Sequence, residues 1–169
     1  SLTVKDVVAF MNNPLPEGLG IEIKGLKFLK KRGINKERQL LTIFPPETGH
    51  KIQILNNLGG RFYSIRFYNE ALEAYQQAIS IEPKFPNPYV GLGNTRFVLN
   101  RKNEAVEAYQ KAIEIDPEFT NAYNGLGKTF SSLGRKKEAI DVYQKAVEID
   151  PDYEDNYYGL GGALSVVGK

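Results

Sequence analysis

The segment "AYNGLGKT", residues 122–129, comes nearest in this chain to a motif that handles phosphate. A phosphate-cradling loop reads G-x-x-x-x-G-K-[ST], and here Ala122 stands for the first Gly while Gly127, Lys128 and Thr129 fit. Such a loop aims backbone N–H groups at a ligand between a strand and a helix N-terminus. The preceding "IEIDPEFTN" reads instead as a helix end and a turn, and the same frame elsewhere has Asn94 and Gly162 in place of Lys128. Nucleotide binding is therefore not expected, and the glycines are assigned to helix packing. The other reactive side chains are no better placed. His50 is the only histidine; with no Cys and no carboxylate cluster at ligand spacing it makes neither a metal site nor a triad. A solvated loop position is expected for it. The carboxylates of "EIDPEF" and "EIDPDYED" fall at helix ends and turns, where no enclosing pocket would shift their pKa values. The chain reads as a non-enzyme, with no cofactor, no metal and no small-molecule substrate.

What remains is an element pattern built for binding. Apolar residues make up 41% and charged residues 25% of 169, the balance of a globular domain with a real core. No apolar run approaches the ~20 residues of a membrane span, and "SLTVKDVVAF" is too polar for a secretory leader. Ser1 in place of a starting Met suggests a trimmed product. Without Cys the redox compartment is unreadable, and cytoplasm is the default expectation. Charge is uneven: "KGLKFLKKRGINKER" at 24–38 carries a local +6, which leaves −4 for the rest of a chain whose total is +2.

A repeat organises the chain. "NEALEAYQQAISIEP", "NEAVEAYQKAIEIDP" and "KEAIDVYQKAVEIDP" begin at Asn69, Asn103 and Lys137, 34 residues apart, and close on Pro83, Pro117 and Pro151. Ahead of each lies a second element, "LNNLGGRFYS", "YVGLGNTRFV" or "YNGLGKTFSS", and "YYGLGGALSV" follows the last. Ala71, Leu72, Tyr75, Ala78 and Ile79 recur at spacings of 3, 4 and 7, which is one apolar stripe on a helix. The prolines end these helices, because the residue before Pro is pushed out of the α region. Asn100 and Gly134 sit where a left-handed C-cap is wanted. Each unit is a helical hairpin, whose small residues Gly59, Gly93, Gly127, Ala71, Ala105 and Ala139 let two helices approach closely.

The pattern resembles the tetratricopeptide repeat family. That signature runs large residue, Leu-Gly, aromatic, Ala, aromatic, Ala, Pro, and Leu55, Leu58, Gly59, Phe62, Ala71, Tyr75, Ala78 and Pro83 supply it. The second unit has Arg96 where the first aromatic belongs, with Phe97 beside it. The resemblance covers residues 52–169, as repeats 52–85, 86–119 and 120–153 and a half-repeat 154–169. It implies an all-α, right-handed superhelical solenoid of antiparallel helix pairs that binds a protein or peptide segment in its concave groove. The groove positions it implies are Gln53, Asn56 and Tyr63, then Asn87, Asn94 and Phe97, then Asn121, Asn124 and Lys128, then Asp155 and Tyr158. Their amides can both donate to and accept from a peptide backbone, and Asn121 and Asn124 are expected to be replaceable without unfolding. The clamp with which co-chaperone members hold acidic C-terminal tails is missing. In one register its positions are Asn56, Gly60, Gly91, Asn121 and Gly125; in the next they are Val90, Asn94, Gly125, Asp155 and Gly159.

Residues 1–51 read as an N-terminal helical extension or a degenerate capping repeat, with Lys24, Lys27, Lys30, Lys31 and Arg32 forming a basic face. A solvated face is favoured there over contact with an acidic partner, nucleic acid or a membrane surface. The half-repeat lacks a second helix and a polar cap, so self-association through this end, or a longer parent protein in which the array is a regulatory segment, is expected.

Overall fold

A computed structural model describes residues 48–165, with side chains from Ile52 onward. The expected N-terminal extension and its basic patch, Lys24, Lys27, Lys30, Lys31 and Arg32, lie outside the described residues. The chain divides into two compact units, Ser1–Pro83 and Lys84–Lys169. Seven helices and no strand are found among the described residues.

The described part of the first unit is one hairpin, α1 (Thr48–Ser64) and α2 (Tyr68–Ile81). The first helix starts earlier than the repeat register implies, so the backbone at His50 is helical, and the loop expected there is not found. Leu55, Leu58 and Phe62 on α1 meet Ala71, Tyr75 and Ala78 on α2, all buried. The second unit repeats that hairpin twice and adds a helix: α3 (Asn87–Val98) with α4 (Lys102–Ile115), α5 (Thr120–Ser132) with α6 (Lys136–Ile149), then α7 (Glu154–Ser165). Within it α5 touches both α3 and α7, so the first helices of successive hairpins stand side by side, while α4 and α6 back them. One apolar cluster joins Val106, Tyr109, Leu126, Phe130, Tyr143 and Ala163.

Local chemistry sets the element boundaries. Glu82, Asp116 and Asp150, each just before a proline, adopt extended backbone (φ near −134°) and stop α2, α4 and α6. Each hairpin turn is a left-handed cap: Arg66, Asn100 and Gly134 have φ of 65°, 61° and 74°. The next N–H then reaches back to the helix, Phe67 to Phe62 O at 2.8 Å, Arg101 to Arg96 O at 2.8 Å and Arg135 to Phe130 O at 2.9 Å. That satisfies carbonyls the helix end would leave open. Arg66 carries no sequence signal for this, since only the common register with Asn100 and Gly134 marks it.

In each hairpin a tyrosine ring lies against a glycine where a Cβ would not fit. A Cβ added at Gly59 would lie 2.5 Å from Tyr75, at Gly93 2.6 Å from Tyr109, and at Gly127 2.8 Å from Tyr143. Two of these rings have a second glycine wall on the following helix: a Cβ added at Gly125 would lie closer still to Tyr109, and one at Gly159 closer still to Tyr143. The Tyr109 and Tyr143 rings are thus each slotted between two backbones. At Arg96 the missing aromatic is replaced by a tether, with Nη1 donating to Glu104 O at 3.1 Å at the start of α4. Phe97 does not take over the vacant core place but lies half-buried beside it.

Gly93→Ala is expected to destabilise the protein by about 1–3 kcal/mol, because the ring cannot retreat without disturbing Gly125. Urea melts measure this, with Gly161→Ala as the control that should cost nothing, since its added Cβ meets nothing within 4 Å. Burial, with Tyr63 nearby, pushes the Tyr75 phenol up to about 12 from its ordinary 10.0. The unfolded chain therefore ionises first, and the stability this phenol supplies is complete below pH 10 and fades as pH rises through about 12. Melts across that alkaline window should show the loss in wild type and a shallower one in Tyr75→Phe.

Candidate functional site

The segment "AYNGLGKT" is helical throughout, inside α5. Gly127 serves the Tyr143 ring, and Thr129 is wholly buried with its Oγ1 donating to Gly125 O at 2.7 Å. Its residues are structural, except that Asn124 and Lys128 turn to one side. There, between α5 and α7, lies a pocket of about 490 Å³. Asn124, Lys128 and Ser131 line it from α5, Asp155, Tyr158 and Gly162 from α7, and Lys136 and the Tyr143 ring complete it.

Four of the groove positions implied by sequence, Asn124, Lys128, Asp155 and Tyr158, are therefore brought together. Phe97 adjoins them, with Lys128 Nζ 5.4 Å above its ring centre, a cation–π contact. Asn94, Asn87 and Asn121 are exposed and do not line the pocket. Asn94 is already engaged, accepting the Tyr109 hydroxyl through Oδ1 at 2.7 Å. On α1, in the first unit, Gln53 is exposed, Asn56 is half-buried, and Tyr63 meets Tyr68 edge-on at 5.8 Å.

Asn124 also has a structural partner. Its Nδ2 donates to Asn156 Oδ1 at 2.7 Å. Asn156 is completely buried and in turn donates to Ala146 O at 2.9 Å and Asp150 O at 2.7 Å, pinning α7 to the end of α6. Removing Asn124 would strand that acceptor. Asn124 Oδ1, also buried, has no hydrogen-bond partner. Sequence reading missed Asn156; its one signal is a polar residue at the register where Ala122 and Pro88 stand. Lys136 was missed because it begins a second helix.

The pocket's chemistry is mixed. Two ammonium groups and one carboxylate sit on its rim, and burial pushes the Tyr143 phenol up, against the opposing effect of a hydrogen bond with Ser131. No group of three His, Asp or Glu that could hold a metal ion is found among the described residues. Nor is any described helix long and apolar enough to cross a membrane.

Residues 61–99 and 93–134 match the TPR repeat family, and 120–153 match the tetratricopeptide repeat, so the matches span more than half of the chain. The chain belongs to the tetratricopeptide repeat family. Its architecture is an all-α TPR-like helical solenoid, and repeats of this family are generally non-catalytic interaction modules. Among solved structures, it is similar to the first TPR of Spaghetti (RPAP3) bound to the HSP90 peptide SRMEEVD. The two are 20% identical with a TM-score of 0.67, over 71% of this chain and 95% of that one. The TPR domain of Sgt2 from Aspergillus fumigatus is 22% identical at a TM-score of 0.67, over 70% of this chain and 80% of that one. MamA is 26% identical at a TM-score of 0.64, over 85% of this chain and 74% of that one. Curated protein sequences give no significant match.

Asn156→Ala removes two donors and one acceptor from a buried TPR junction, leaving carbonyls unpaired. It is expected to destabilise by about 1–3 kcal/mol, read as a lowered melting temperature that Tyr158→Ala, at a side chain 86% exposed, does not reproduce.

Proposed function

We propose that this TPR protein is a non-catalytic scaffold that holds an extended segment of a partner protein in the pocket between α5 and α7. The observation that supports this most is the pocket itself, where Asn124, Lys128, Asp155 and Tyr158 come together. Amide, ammonium, carboxylate and phenol groups at one place can pair with both the main chain and the side chains of an extended segment. Tyr158, 86% exposed, offers a large ring for an apolar side chain. Lys128 and Lys136 favour a carboxylate on one side of the segment, and Asp155 a cation on the other. Asn87, Asn94, Phe97 and Asn121 would extend this surface, and Gln53, Asn56 and Tyr63 hold the equivalent register on α1.

The first TPR of Spaghetti carries an acidic HSP90 peptide, but the positions of an acidic-tail clamp are occupied differently here. Gly125 and Gly159 are the far walls of the Tyr109 and Tyr143 slots, where any side chain would strike a ring. A Lys or Asn cannot stand there, so recognition falls on the main chain and side chains of the segment rather than on a terminal carboxylate. Peptides selected by display against the chain provide the probe. Tyr158→Ala and Lys128→Ala should each weaken binding by about tenfold, measured by calorimetry, with melting temperature unchanged because both side chains are exposed. Full affinity in both variants removes the reading.

A further inference from the structure

The pocket between α5 and α7 has a counterpart one repeat earlier, at the junction of α3 and α5, and the two differ in what occupies them. At the earlier junction Phe97 of α3 packs against the apolar cluster, and Lys128 of α5 holds its Nζ 5.4 Å above the ring. The 34-residue period carries Phe97 to Ser131 and Lys128 to Gly162. A ring and a long stem are thereby replaced by a hydroxymethyl group and a hydrogen, and both short residues line the pocket. The surrounding positions are kept: Lys102 recurs as Lys136, Tyr109 as Tyr143 and Gly125 as Gly159. The frame is therefore the same, and the space of about 490 Å³ lies where the earlier junction has its own aromatic. A volume of that size falls within the about 300–1,000 Å³ of sites that enclose a small ligand. Tyr63 stands at the same register of α1, which makes Ser131 the exception among the three hairpins.

We propose, resting on the reading of the pocket given above, that this space takes an aromatic side chain of the bound segment, seated as Phe97 is seated one repeat earlier. The walls suit a ring better than a branched aliphatic chain. Gly159 and Gly162 present flat backbone, and the Tyr143 ring offers an aromatic surface for stacked or edge-on contact. The ammonium groups of Lys128 and Lys136 attract the negative face of a ring, and Lys128 already makes that contact with Phe97. The same two cations favour a carboxylate beside the aromatic residue in the segment. Every lining residue belongs to α5, α6 or α7, so the socket is built wholly from described helices.

N-acetyl-phenylalaninamide and N-acetyl-leucinamide are the first probes, titrated into the isotope-labelled whole chain while the amide resonances of Gly159, Gly162 and Ala163 are followed. The aromatic amide is expected to shift all three saturably and to bind at least about threefold more tightly than the leucine amide. Ser131→Phe, which restores the aromatic of the other hairpins, should weaken the aromatic amide at least about tenfold and keep the melting temperature. That variant also gives up the hydrogen bond between Ser131 and Tyr143. Gly162→Leu therefore serves as the second variant: its added Cβ meets nothing within 4 Å, and it narrows the socket from α7 with the same loss expected. No saturable shift up to about 20 mM of the aromatic amide, equal or tighter binding of the leucine amide, or full affinity in both variants overturns the proposal. Display-selected peptides separate this failure from failure of the pocket reading. If they bind Ser131→Phe and Gly162→Leu as well as wild type yet weaken in Tyr158→Ala and Lys128→Ala, the segment crosses the pocket without filling the socket, and only the aromatic assignment falls. If they ignore all four substitutions, both readings fall.

Discussion

A tyrosine ring held between two helix backbones is the contact on which the architecture rests. In the second unit, Tyr109 is flanked by Gly93 and Gly125, and Tyr143 by Gly127 and Gly159. One ring therefore fastens its own hairpin and, on its other side, the first helix of the next. Glycine is required at both walls because the backbones come closer than a Cβ allows, at the cost of placing a poor helix former inside a helix. The ring's burial more than offsets this, since an aromatic removes a large apolar surface from water. In the second unit the same contact makes stacking directional, because α4 and α6 each find a glycine on both sides.

That constraint also shapes the pocket between α5 and α7. Gly125 and Gly159 cannot carry side chains, so the polar groups of this wall come from their neighbours, Asn124, Lys128, Asp155 and Tyr158. Asn124 is divided between two tasks. Its nitrogen secures Asn156, while the residue itself lines the pocket. A junction that holds α7 in place is therefore also part of the pocket wall, which couples the seating of the last helix to the shape of the site.

Exposed ion pairs contribute less than their number suggests. Arg101 with Glu104, and Arg135 with Glu138, bracket the first turns of α4 and α6. Each arginine holds its glutamate below the usual carboxylate range through a side-chain hydrogen bond, yet such solvated pairs add little. Their effect is to keep a carboxylate near the positive end of the helix dipole. Arg135 also covers the Phe130 ring at 4.3 Å, shielding the edge of the core.

The hairpins were legible from the sequence because their causes are local or periodic. Proline fixes the ends of α2, α4 and α6; Asn100 and Gly134 invite left-handed turns; the alanine and tyrosine spacings draw the buried stripe. The packing role of Gly59, Gly93 and Gly127 could be read for the same reason, since 34-residue periodicity aligns each with its tyrosine. The second walls at Gly125 and Gly159, the Asn156 bridge and the grouping of Asn124, Lys128, Lys136, Asp155 and Tyr158 could not be read. They depend on the distance between helices of neighbouring hairpins and on which way each side chain turns. No single helix's periodicity encodes that separation; it is fixed only when one ring closes against two backbones at once.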